Sequence, residues 1–374
     1  MTRPLPHKVD ARNARQRAAV VAAAMSAVVG CRAQPPVPPE TVPFSPPALD
    51  FASTRKSARP FCSVVPTPRE WSGPAVSEAF ALAARLGPVI SLPDPVDWFE
   101  ADGKPASASK AYRDAAWQRS LCEQHRLNVF VQMDPYKDRR GPIPGLPRSV
   151  PANSFADPVV RRAFIADAVQ RAELYRAPLM CLAMEINAYY EQRPDDFPHF
   201  VSLFREARAA VRKARPDVLV FVSLQYEQLL GLFGGQGGLP AHEPQWDLLS
   251  AFESEADAVG ISSYPLAQFS PPRFDDPAVL PADYYARIAE HTKLPVVFTE
   301  LGWPSDERFG GSPEKQATFI RRLPKLLAGM KVMLVNWTFL HDSQGYGEVF
   351  ESMGLVGRDG REKPALEAWK QAWP

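Results

Sequence analysis

The stretch Leu294–Ser305, LPVVFTELGWPS, decides how the chain is read. Pro295-Val296-Val297-Phe298 is a continuous apolar run, and Gly302 and Pro304 turn the chain out of it. A run of this kind without alternation marks a strand buried on both faces, the habit of parallel sheets covered by helices. It brings one carboxylate, Glu300, to its C-terminal end, where Glu is a poor choice for packing and a good one for chemistry. Leu179–Asn187, LMCLAMEIN, repeats the arrangement with Glu185.

Outward from these two, strands are predicted at Phe61–Val65, Pro88–Leu92, Asn128–Met133, Leu179–Glu185, Val218–Leu224, Ala258–Ser263, Pro295–Glu300 and Val332–Trp337. Helical periodicity fills the gaps. Asp157-Pro158 and Ser312-Pro313 are start signals, each a cap residue followed by proline at the first helical position. Phe197–Arg215 is a third amphipathic run. Eight strands interleaved with helices predict an α/β fold, a (β/α)₈ TIM barrel forming a single domain over residues 59–374. A doubly wound open sheet is the alternative, but no G-x-G-x-x-G follows the first strand. Gly354–Trp373 reads as a turn at Asp359-Gly360 and a closing helix.

Residues 1–31 read as an export signal. Lys8, Arg12, Arg15 and Arg17 precede a thirteen-residue apolar segment, Ala18–Gly30, which is too short to span a bilayer. Val28-Val29-Gly30-Cys31 resembles the bacterial lipobox, which implies lipidation of Cys31 and an N-terminal membrane anchor. Residues 32–58 form a linker whose Pro35–Pro47 part holds seven prolines, a composition that favours extended polyproline II. The protein is expected to be exported and lipid-anchored at the bacterial cell envelope, in the periplasm or at the cell surface. A monomer is expected.

The totals exclude other classes. A formal net charge of +1 over 374 residues carries no electrostatic footprint for nucleic acid. The 40 prolines are about twice the ordinary share of roughly 5%, which favours fixed turns. Cys31, Cys62, Cys122 and Cys181 fit no zinc or CxxC spacing, and Cys62–Cys122 is the disulfide the sequence leaves open. The histidines have no metal-ligand spacing, and neither a phosphate-binding loop nor a G-x-S-x-G elbow occurs. No metal and no cofactor is expected.

In such barrels the reacting groups gather at the C-terminal strand ends. Glu185 ends the predicted fourth strand and Glu300 the seventh, so the closed barrel would set them across one mouth. Two carboxylates about 5 Å apart are what a retaining glycosidase needs, one as proton donor and one as nucleophile.

VFTELGWPS resembles the strand-seven motif of the clan A retaining glycoside hydrolases, nearest in string to the endo-β-1,3-glucanase and endo-β-1,4-galactanase barrels. The resemblance spans roughly residues 59–374 and is most specific in the second half. It implies Glu300 as nucleophile and Glu185 as acid/base. Asp257–Pro265, DAVGISSYP, is similar to the family's strand six, implying that Tyr264 holds the nucleophile. Val335–Asp342, VNWTFLHD, is similar to strand eight, implying that Trp337 floors the sugar subsite. The family places Asn before the acid/base residue, whereas this chain has Met184, so Asn187 is the candidate substitute. Trp303, Asp134, Asp94 and Trp98 occupy predicted rim positions, and Tyr189 and Tyr190 follow strand four. The expected partner is a β-linked polysaccharide or oligosaccharide. Met184 favours the alternative, a non-catalytic carbohydrate-binding or envelope-assembly lipoprotein on a degenerate barrel. A transglycosylase would use the same pair of glutamates.

Overall fold

The computed structural model describes Leu49, Phe51 and residues 59–136, 142–150, 152–232, 242–266 and 274–373. The predicted signal, Cys31 and most of the proline-rich linker lie outside the described residues. Among the described residues no helix is long and apolar enough to cross a membrane.

The strands are β1 (Phe61–Val64), β2 (Val89–Pro95), β3 (Asn128–Asp134), β4 (Leu179–Cys181), β5 (Leu219–Phe221), β6 (Ser223–Gln225), β7 (Val259–Ser263), β8 (Val296–Leu301) and β9 (Val332–Trp337). Each lies on one of the eight predicted runs. All pairings are parallel, in the order β5-β4-β3-β2-β1-β9-β8-β7-β6.

Only Val222 separates β5 from β6, and the two are halves of one stave. The first half pairs with β4 and the second with β7. Across the break, the Leu182 and Gly260 N–H groups donate to the Phe221 and Val222 carbonyls at 2.8 and 3.0 Å. The stave therefore joins both ends of the sheet and completes an eight-stave (β/α)₈ barrel.

Helices cover the outside, and the predicted start signals are real caps. The Asp157 carboxylate accepts from the Val159 and Val160 N–H groups at the start of helix Pro158–Tyr175. Ser312 caps Pro313–Leu326 through the Lys315 N–H. Inside, polar side chains bridge the barrel. Gln132 Nε2 of β3 donates to Ser91 Oγ of β2 at 2.7 Å and to the Thr299 carbonyl of β8 at 3.3 Å. Asn336 Nδ2 of β9 donates to the same carbonyl at 2.8 Å. These contacts fix which strand positions face inward.

Cys62, Cys122 and Cys181 are all free, so the disulfide left open by the sequence is not formed. Burial pushes each thiol up to about 12, which makes these cysteines inert packing groups rather than reactive thiols.

On the outer wall, helix Pro158–Tyr175 is tied to β2 by a buried ionic triad. Arg171 bonds Asp167 at 2.9 Å and Asp94 at 3.1 Å. Burial raises the Asp167 carboxyl to about 6 against the opposing pull of Arg171. Arg171→Met would leave two buried carboxylates without their cation, costing about 3–5 kcal/mol at pH 8. A folded-state value raised above the unfolded one makes the ionised form the costly one. Without Arg171 that value rises further above 6, so the electrostatic deficit is full above the raised value and shrinks as pH falls through it. Urea titrations of both proteins at pH 8 and pH 5 should give a larger gap at pH 8.

Candidate active site

Glu185 and Glu300 are buried at the C-terminal ends of their staves, 5% and 1% exposed. What brings them together is the end of β7. Ser262 Oγ donates to Glu185 Oε1 at 2.7 Å, and the Tyr264 hydroxyl donates to Glu300 Oε2 at 2.5 Å. Residues two apart on a strand share a face, so one edge of β7 serves both carboxylates. Burial and then the Glu300 charge push the Tyr264 hydroxyl well above its usual range. It therefore stays protonated and donates. Thr338 Oγ1 lies 3.0 Å from the same hydroxyl.

The local sequence explains this geometry. Gly302 leaves room for the Tyr264 ring, because a Cβ there would lie 2.8 Å from the ring's Cε1 and 2.7 Å from Met353 Sδ. The β7–β8 register shifts between Ile261 and Ser262, so Ser262 comes level with Glu300. Glu185 has φ 51° and ψ 48°, a left-handed conformation that costs a non-glycine residue roughly 1–2 kcal/mol. Its N–H donates to Ser223 Oγ at 2.9 Å, which holds it there. The turn converts the end of the fourth stave into helix Ile186–Gln192 and aims the carboxylate at β7.

Several predicted site residues prove to be structural. Trp337 was expected to floor the subsite, but it points into the helix layer. It is fully buried, its ring lies 6.2 Å from that of Phe319 and 6.1 Å from that of Trp369, and Nε1 donates to the Met353 carbonyl at 2.8 Å. Asn336 takes the inward position, so Trp337 must face outward. Trp303 packs on the same side, 5.2 Å from Phe319.

Asn187 does not stand in for the missing asparagine. Its amide is committed to the Gln225 backbone, donating to the carbonyl at 2.9 Å and accepting from the N–H at 2.8 Å. Asp94 faces outward into the Arg171 triad, because Ser91 is the inward-facing residue three places earlier. Trp98 is buried against Gly145. Tyr189 is buried with its hydroxyl on Asp196, and Tyr190 packs edge-on to Phe197 at 5.1 Å. Of the rim candidates, Asp134 shares the inward face of Gln132 and accepts from the Tyr136 N–H at 3.2 Å.

Three residues of the site were missed. Ser262 and Ser263 stand in the quoted string DAVGISSYP, and Glu227 ends the fifth stave, where the strand-end rule that found the other two glutamates also applies. Glu227 is fully buried and accepts from Ser263 Oγ, Gln225 Nε2, the Tyr284 hydroxyl and the Tyr264 N–H. Among the described residues no group of three or more His, Cys, Asp or Glu could hold a metal ion.

No protein-family model and no curated protein matches the sequence. Solved structures do match. A GH5_18 protein from Streptomyces cattleya, in complex with GlcNAc, superposes with a TM-score of 0.63 at 19% identity, covering 84% of this chain and 80% of its own. The exo-beta-1,4-mannosidase of Opitutaceae bacterium strain TAV5 gives 0.60 at 17% identity, over 84% of this chain and 58% of its own. A family 39 glycoside hydrolase from Bacteroides cellulosilyticus gives 0.55 at 18%, over 84% and 64%. At these identities the likeness establishes the fold, the TIM barrel shared with glycoside hydrolases.

Asn187→Ala would leave the Gln225 N–H and carbonyl buried without partners. It should lower stability by about 1–3 kcal/mol in urea unfolding. Trp337→Phe should also destabilise, by loss of the Met353 bond, while leaving affinity for any sugar ligand unchanged in calorimetry.

Proposed function

We propose that the chain is a retaining glycoside hydrolase acting on a β-linked polysaccharide or oligosaccharide. The observation that carries the reading is the convergence of two buried carboxylates, from the fourth and seventh staves, on one face of β7. Burying two carboxylates at one barrel mouth disfavours folding unless each is well bonded, so their retention points to chemistry.

Glu185 would protonate the glycosidic oxygen while Glu300 attacks the anomeric carbon, breaking the bond to the leaving sugar and forming a glycosyl-enzyme. Glu185, now ionised, would take a proton from water, whose oxygen displaces Glu300 with a second inversion. The Tyr264 hydrogen bond favours the ionised, nucleophilic form of Glu300. Asp134, on the inward face at the end of β3, is the remaining candidate for direct sugar contact.

Among proteins of like fold, a GH5_18 protein from Streptomyces cattleya has been solved in complex with Manb1-4GlcNAc, and another is an exo-beta-1,4-mannosidase. β-Mannosides, including Man-β-1,4-GlcNAc, therefore belong beside β-glucans and β-galactans on a substrate panel. The apolar segment Ala18–Gly30 followed by Cys31, with the proline-rich linker, supports export and lipid anchoring at the cell envelope.

Glu185→Ala should lose about 10²–10⁴-fold on natural substrates, yet far less on aryl glycosides whose leaving group needs no proton. Glu300→Ala should lose activity on both. The first-formed product should keep the β configuration by NMR. Undiminished hydrolysis by both variants would overturn the assignment, as would ligand binding with no turnover by the unmodified protein across the whole panel. The latter result would favour the carbohydrate-binding alternative.

A further inference from the structure

We propose that Glu227 is the positioning residue of this site: its carboxylate fixes the end of β7 so that Tyr264 meets Glu300. The inference deepens the reading of Glu185 and Glu300 as the reacting pair and rests on it.

Three consecutive residues of the chain, Ser262, Ser263 and Tyr264, each donate a hydroxyl proton to a different buried glutamate. Ser262 reaches Glu185, Ser263 reaches Glu227 at 2.5 Å, and Tyr264 reaches Glu300. Alternation along a strand turns Ser263 away from its two neighbours, so Glu227 holds β7 from the side opposite the reacting pair. It also accepts the Tyr264 backbone N–H at 3.2 Å. That bond ties down the backbone of the residue whose side chain reaches Glu300. Gln225 Nε2 at 2.6 Å and the Tyr284 hydroxyl at 3.0 Å complete the grip, and Tyr285 backs Ser263 at 2.8 Å.

A shift of the β7 end by a few tenths of an ångström would lengthen the bonds to both reacting carboxylates together. The titratable groups facing Glu227 are Tyr226 on its own helix, and Tyr264, Tyr284 and Tyr285 opposite, all pushed up by burial first. They remain donors throughout the working range.

The test reads the titration of the Glu300 carboxyl by carbon-13 NMR on glutamate-labelled protein, assigned by the signal lost in Glu300→Gln. Tyr264→Phe removes a donor to the ionised form and should raise the Glu300 pKa. Glu227→Ala should raise it in the same direction. Loss of the Glu227 charge alone would lower it, so a rise reports position. In the Tyr264→Phe background, Glu227→Ala should give no further rise. Glu227→Gln, whose amide oxygen can still accept from Tyr264 N–H, should give no rise at all. Should Glu227→Ala fail to fold, Ser263→Ala removes one of the four donors and should give a smaller rise.

A Glu300 pKa that stays level or falls in Glu227→Ala (or in Ser263→Ala where that variant is used) would overturn the proposal. So would rises that add in the double variant. The titration needs no turnover, so an inactive protein would sink the hydrolase reading and still decide this one. In an active protein the acid limb of kcat/KM on the best panel glycoside should move with the NMR value.

Discussion

The hydrogen bond from the Tyr264 hydroxyl to Glu300 is the contact on which the rest of the site depends. To form it, β7 must end at the right height, its register with β8 must slip by a residue, and Gly302 must yield space to the ring. Each condition is set by a different part of the chain. The barrel supplies only the circular arrangement of staves; the serine pair, the bulge and the glycine convert that arrangement into two carboxylates addressed by one strand edge. The strained backbone of Glu185 does the same on the opposite side, turning a strand end that would otherwise project along the barrel wall.

The fold was legible in the sequence because its signal is redundant. Eight apolar runs lie between helical ones, each bounded by Gly, Pro or a capping residue, and a missed boundary of a residue or two changes nothing. The fifth stave is the instructive case. It reads as one run, Val218–Leu224, and the break at Val222 has no sequence mark, because it arises from pairing with different neighbours on the two halves. The placement of Glu185 and Glu300 was legible because a carboxylate at the end of an apolar run has nowhere stable to go except a polar mouth, whereas Tyr264 came only from the family resemblance.

What the sequence could not supply was the facing of the other residues. In a half-exposed strand, alternation of polar and apolar residues reveals which side is in. In a barrel covered by helices both sides are apolar, and that cue vanishes. Trp337 and Asp94 both face outward, as the inward-facing Asn336 beside the one and Ser91 three places before the other show. Bulges compound the problem, since β8 shifts register against both β7 and β9 and so breaks any count from a strand's start. Asn187 failed differently. The strand was expected to run through Glu185, but it ends at Cys181, and the left-handed turn at Glu185 carries Asn187 into a helix where it clamps Gln225.

Met184 was the sequence's weakest point, and the structure deepens it. The side chain is buried and Asn187 is committed elsewhere, so neither places an amide beside Glu185. Ser262 Oγ, on a different stave, donates to Glu185. The end of β7 thus donates to all three glutamates. A chain selected for stability alone would avoid this concentration. Each buried carboxylate costs several kcal/mol of lost hydration, a left-handed glutamate adds more, and apolar residues of equal volume would pack without such a deficit. The departures from the stablest choice gather at one strand end, and that gathering is the strongest argument that this mouth of the barrel is where the protein acts.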